Sequence, residues 1–161
     1  MRHILVDFHG LEPDRVRSLR QRRFGEAEPM FLEVHRLYKE SLLPGHYMIA
    51  YPLLSLTDLY FQTGDYKAAE STGREAVDHL RATLPEGHMT TAIGESRLGE
   101  ALTKLEKYFE AEPLLVRSYE TLRGSEGSGE YLIRARNRLI ALYLAWGRAQ
   151  DADRYRTVPA E

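Results

Sequence analysis

Between residues 89 and 123 apolar side chains recur every three or four positions, the spacing of two successive amphipathic helices. In the first stretch Ile93, Arg97, Glu100 and Lys104 share one face, while Leu98, Ala101, Leu102 and Leu105 share another. In the second, Tyr108, Ala111, Leu115, Tyr119 and Leu122 form the apolar stripe. The same period runs along the chain and predicts helices near 26–42, 47–63, 66–83, 89–105, 108–123, 131–146 and 149–156. Short turns, "TGDY" and "WGRA", separate paired helices, and Gly64 and Gly147 can close a helix C-terminus at positive φ. Glu106 stands at the matching position in another pair, so that turn is expected to be drawn differently. Pro52 falls in the first turns of its helix and should kink it unless the helix starts late. Gly73 stands where sister helices carry Phe31 and Leu115, so a larger neighbour should fill the gap.

The pattern is also a repeat. "FGEAEPMF" at residues 24–31 returns as "YFEAEPLL" at 108–115, with a worn copy, "YKAAESTG", midway at 66–73. Sliding the chain by 42 residues aligns Ala50 with Ala92, Leu56 with Leu98, Tyr60 with Leu102 and Tyr66 with Tyr108. It also aligns Pro44-Gly45-His46 with Glu86-Gly87-His88 and then with Ser128-Gly129-Glu130. The last unit follows at 41, with Leu139, Tyr143, Gly147 and Ala152. The boundaries "SLLPGHY", "TLPEGHM" and "EGSGEY" carry helix stop-and-start residues. These features divide the chain into an N-terminal segment at 1–23, an array at 24–156 and a tail at 157–161. The array's units lie near 24–46, 47–88, 89–130 and 131–156.

Leu, then Tyr or Leu, Gly, Tyr and Ala at this spacing resembles the tetratricopeptide repeat. The 42-residue period, with "EAEP" opening the second helix and "PGH" or "EGH" closing the unit, is similar to the kinesin light chain type. It is also similar to bacterial arrays, some of them attached to serine/threonine kinases. The resemblance implies an all-α, right-handed solenoid of antiparallel helix pairs, about three and a half units long. It implies a non-catalytic module that binds a peptide or partner domain in a concave groove lined by the first helix of each pair. An alternative is the regulatory or targeting region of a signalling enzyme such as a bacterial serine/threonine kinase. Mapped from the family pattern, the groove positions are Tyr51, Leu54, Asp58, Phe61 and Gln62 in one unit. In the next they are Ile93, Ser96, Arg97, Glu100 and Lys104, and in the last Arg134, Asn137 and Arg138. The basic end of that wall could hold an acidic peptide, since arginine makes forked bonds to carboxylates.

A solenoid needs capped ends. The polar "AQDADRYR" can serve at the C-terminus, whereas the helix carrying Met30, Phe31, Val34, Leu37 and Tyr38 has no first helix of the repeat pattern before it. It is expected to self-associate there, or to meet another segment.

Composition then removes other classes. The chain has 161 residues, a formal net charge of −2, 43% hydrophobic and 29% charged residues, and no cysteine. No overall field draws it to nucleic acid or to an anionic membrane, and thiolate metal sites, disulfides and a cysteine nucleophile are excluded. No apolar run reaches membrane-spanning length, so a soluble, cytoplasmic protein without a cofactor is expected. His3, Asp7 and His9 alternate in "HILVDFHG" and are metal-ligand types, but no HExxH, nucleophile elbow or phosphate loop accompanies them. Arg15, Arg17, Arg20, Arg22 and Arg23 form a basic run without interleaved aromatics, which reads as a solvated helix face. His46 and His88 recur at the repeat period and should begin helices. Trp146 is expected to pack under the last helix.

Overall fold

A computed structural model of the protein describes the backbone of residues 13–156 and the side chains of residues 23–156. The described residues form α1 (Pro13–Ser41), a single 3₁₀ turn (Tyr47–Ile49), α2 (Ala50–Thr63), α3 (Tyr66–Thr83), α4 (Met89–Lys104), α5 (Tyr108–Arg123), α6 (Gly129–Ala145) and α7 (Ala149–Arg156). No strand occurs among them. Each helix packs on the next, and α4 also touches α2 and α6, whereas the backbones of α3 and α5 do not meet. This is a helical solenoid with α2, α4 and α6 as one layer and α1, α3, α5 and α7 as the other.

The recurring phrase has a structural reason. Its alanine packs between the layers: Ala69 and Ala111 are fully buried, and Ala27 in the first copy is partly so. Its second glutamate reaches across to the following helix pair. Glu28 accepts from the Tyr60 hydroxyl at 2.6 Å, and Glu112 from Tyr143 at 2.9 Å and from Arg148 at 2.9 Å. In the worn copy Tyr is replaced by Leu102, and Glu70 takes Lys107 Nζ at 2.8 Å instead.

Other expectations resolve physically. The helix that holds Pro52 starts late, at Ala50, after the 3₁₀ turn, so proline occupies a first turn where no amide is needed. At Gly73 a Cβ would lie 3.3 Å from Leu98 and 3.4 Å from Thr57, and these two neighbours fill the gap. His46 and His88 are helix caps, their Nδ1 atoms accepting from the amides of Met48 and Thr90. Along α7 Ala152 is buried, and Tyr155 stacks on Tyr143 and meets Tyr119 edge-on, closing that end of the core.

Four expectations change. The first helix does not begin near residue 26 but at Pro13, so Pro29 lies in its interior; the helix-forming residues ahead of the phrase carry it upstream. Glu106 does not draw a different turn: it adopts the left-handed conformation itself, at φ 60° against 84° for Gly64 and 75° for Gly147. The last unit boundary turns at Gly127, with φ 74°, and not at Gly129, while α6 gains one residue over α4. The last two inter-repeat loops, at Gly87 and Gly127, are thus 40 residues apart and the helix cores that follow them 41. Trp146 stacks on Tyr108 at 5.6 Å and meets Phe109 edge-on, packing on the start of α5 and not under α7.

Candidate partner-binding groove

The face shared by α2, α4 and α6 is built from repeated positions. Tyr51, Ile93 and Arg134 are equivalent, as are Asp58 and Glu100, and Arg97 and Arg138. Two ion pairs recur at the period of the array. Arg97 meets Asp58 at 3.1 Å, joining α4 to α2, and Arg138 meets Glu100 at 2.6 Å, joining α6 to α4. Arg138 also donates to Ser96 Oγ at 3.0 Å. Arg134 pairs with Glu130 one turn away on its own helix.

Burial sets the electrostatics of this stitch. It pushes the Asp58 carboxyl above its usual range, against the pull of Arg97, Arg138 and Arg134. It likewise draws the Arg97 guanidinium down, which Asp58 opposes. The three arginines therefore surround one half-buried carboxylate, and each already has an acidic partner.

The mapped positions separate by exposure. Tyr51, Gln62, Lys104, Arg134 and Asn137 are exposed, and Asp58, Phe61, Ile93, Arg97, Glu100 and Arg138 are partly so. Leu54 and Ser96 are buried and offer no side-chain surface to a ligand. That position turns toward the following first helix: a Cβ at Gly94 of α4 would lie 3.2 Å from Leu54 Cδ2, and Ser96 meets Arg138 of α6. Asn137 holds the same position in α6, where the described residues contain no further first helix, and it is exposed.

Two aromatic residues escaped the sequence reading. Tyr47 meets Tyr51 edge-on at 5.8 Å, and Tyr131, at the start of α6, lies within electrostatic range of Arg97. Both are exposed and sit in the first turn after a unit boundary. An aromatic residue following the Gly-containing boundary was the available signal.

His3, Asp7 and His9 lie outside the described residues, as do the side chains of Arg15, Arg17, Arg20 and Arg22. Among the described residues no cluster of three metal-ligand side chains occurs, and no helix is long and apolar enough to cross a membrane.

Residues 18–82 match a family model described as Tetratricopeptide repeat. A comparison with curated proteins found no match.

Proposed function

The chain is a tetratricopeptide repeat protein, and from that premise we propose that it is a non-catalytic interaction module whose α2–α4–α6 face receives a peptide or a partner domain. Repeats of this family generally mediate contacts between proteins. One observation carries the assignment to this face: Gln62 and Lys104, at equivalent positions of α2 and α4, are exposed and have no bonding partner among the described residues, and Asn137 extends that free polar surface along the open edge of α6. Tyr47, Tyr51 and Tyr131 add exposed aromatic surface, the kind that anchors partners at interfaces. The arginines enter this picture as positioned donors, since Arg97 and Arg138 are held by Asp58 and Glu100. An acidic ligand would have to compete with those carboxylates, so the recognition we propose rests on aromatic contact and hydrogen bonding before charge.

The test is a pull-down comparing wild type with a Tyr51→Ala/Lys104→Glu/Asn137→Lys variant of equal helicity by circular dichroism. None of the three side chains holds the core together, so folding should survive. A partner retained by wild type and lost by the variant supports the face; a partner kept by both removes it.

A second proposal rests on a different observation, the open side of α1. Ala69, Ala76 and Leu80 of α3, and Ala111, Ser118, Tyr119 and Leu122 of α5, are buried. Their counterparts Ala27, Val34, His35 and Tyr38 in α1 are only partly so, and Met30 and Leu37 are exposed. Phe24 and Phe31 pack against the α2 core. Met30, Val34 and Leu37 form an adjacent seam, the one whose α3 equivalent meets α2 through Thr72–Thr57 and the turn before α2 through His79–His46. We assign this seam to a second copy of the chain, with the two α1 helices antiparallel. The sequence of α1 is uneven in charge: residues 13–23 carry five arginines and Asp14, whereas residues 24–41 carry Glu26, Glu28, Glu33 and Glu40 with Arg36 and Lys39, and Arg36 pairs with Glu33 and Glu40. Antiparallel pairing brings the net-basic sequence of one copy to the net-acidic sequence of the other.

A further inference from the structure

On the side of α4 away from the groove, the separation of α3 and α5 leaves a cleft of about 510 Å³. At one end the gap between these helices is bridged by Glu70 with Lys107 and by Arg74 with Glu110. The cleft lies toward the other end, between the last turns of α3, the loop 84–88, the start of α4 and the second half of α5. Its volume falls within the range of small-molecule sites.

The lining is organised around a buried carboxylate. Glu95 is 3% exposed, and it holds two guanidinium groups from opposite walls. Arg81 of α3 donates to Oε1 through Nε at 3.1 Å and Nη2 at 2.9 Å. Arg117 of α5 donates through Nε at 2.9 Å to Oε2 and approaches Oε1 with Nη2 at 2.8 Å. Each arginine is half-exposed and leaves its Nη1 donors without a partner among the described residues. Thr91, 9% exposed, lines the same cleft with an Oγ1 that makes no hydrogen bond. His88 lines it too; its Nδ1 accepts from Thr90, which leaves the neutral ring's proton on Nε2 as a donor.

The array supplies its own control for this arrangement. One unit earlier, the positions of Glu95 and Thr91 are Leu53 and Ile49, both buried and apolar, and the position of Arg117 is Glu75. The solenoid therefore packs at that site without a buried carboxylate, although Lys39 and Glu75 stand at the positions of Arg81 and Arg117. A buried carboxylate held by two arginines is poor evidence of stabilisation, because desolvating the carboxylate offsets much of their attraction. What the cluster does provide is two rigidly aimed, partly unspent guanidinium groups beside an orphaned hydroxyl.

We infer that this cleft is a second binding site, distinct from the groove, for a small monoanionic acid: one carboxylate carrying an apolar group. The carboxylate meets the free Nη1 donors of Arg81 and Arg117, since arginine forks match carboxylate geometry. The apolar part rests on Leu84, Pro85 and Ala92. With Glu95 and Glu86 balancing the two arginines, the lining is close to neutral, which favours one negative charge over two.

The test follows the arginine Nε–H signals of the full chain by nuclear magnetic resonance during titration with N-acetyl-leucine, benzoate, N-acetyl-leucinamide and inorganic phosphate. The acids should give saturable shifts at Arg81 and Arg117, at least tenfold stronger in affinity than the neutral amide or phosphate. Arg117→Gln, a half-exposed change that leaves the core intact, should weaken binding at least tenfold. Glu95→Leu, which copies the preceding unit and makes the lining more positive by one charge, should abolish the preference for the acids over phosphate while the protein remains folded. Preference for N-acetyl-leucine assigns the acid to a peptide end, and equal binding of benzoate to a free acid; either supports the site. No saturable shift with either acid at about 10 mM, phosphate binding as strongly as the acids, or unchanged affinity in Arg117→Gln would overturn it.

Discussion

Glu106 adopts a backbone conformation that its relatives in the array reserve for glycine. A left-handed residue with a side chain costs about 1–2 kcal/mol, and glycine returns part of that advantage through its freer unfolded chain. Glu106→Gly should therefore stabilise the protein by about 0.5–1 kcal/mol, measured as a higher urea midpoint with an unchanged slope. The position of this turn was legible in the sequence, because Leu98, Leu102 and Ala111 fix the register around it. Its conformation was not, since a glutamate carries no sign of positive φ and only the neighbouring helices impose it. Histidine was read correctly for the opposite reason. His46 and His88 sit at the repeat period, and a cap is a local interaction that a short stretch of sequence can express.

Between elements, the glutamate of the repeated phrase joins one helix pair to the next, and Glu70 shows what that implies for pH. Burial alone would raise its carboxyl pKa, but the hydrogen bonds from Lys107 and Arg74 outweigh it and hold the group below its ordinary value. A carboxylate whose folded pKa lies below its unfolded one contributes stability above the unfolded value. That contribution disappears as the pH falls through the folded one. Stability should fall as the pH drops through and below the ordinary carboxylate range, and Glu70→Gln should flatten the fall while lowering stability at neutral pH. Urea melts across that range, compared for the two proteins, would read it directly; parallel curves would contradict it. At this scale the stitch of Asp58 to Arg97 and Glu100 to Arg138 was present in the sequence as two acids and two arginines at the repeat step. It was missed because the arginines were read one helix at a time, as free basic surface. The carboxylate partners lie on the preceding helix, and only the distance between helices shows that each arginine is engaged. The start of α1 was misread for a related reason. Pro29 looks like a helix opening when the residues before it lack the repeat pattern, yet helix continuation does not require that pattern.

For the molecule as a whole, the two ends of the stack differ. Tyr155, Tyr143 and Tyr119 close one end under α7. At the other, Met30 and Leu37 stand exposed on α1. If a second copy covers that seam, sedimentation of the full chain should show a concentration-dependent dimer that Met30→Glu/Leu37→Glu abolishes without loss of helicity. A monomer at all concentrations would remove the proposal. The overall architecture was legible because a repeat writes each contact several times, so errors at one position are corrected at the next. The ligand was not, because a groove is defined by which polar groups remain unspent after the array has satisfied itself. The most direct measurement of the central claim is site-specific photo-crosslinking in cell lysate. Benzoylphenylalanine would replace Gln62, Lys104 or Asn137 on the α2–α4–α6 face, and Lys67 or Asp78 on exposed positions of α3. The account predicts a shared partner adduct from the first three positions and none from the α3 positions. Adducts from α3 alone, or no adduct from any of the first three, would contradict it.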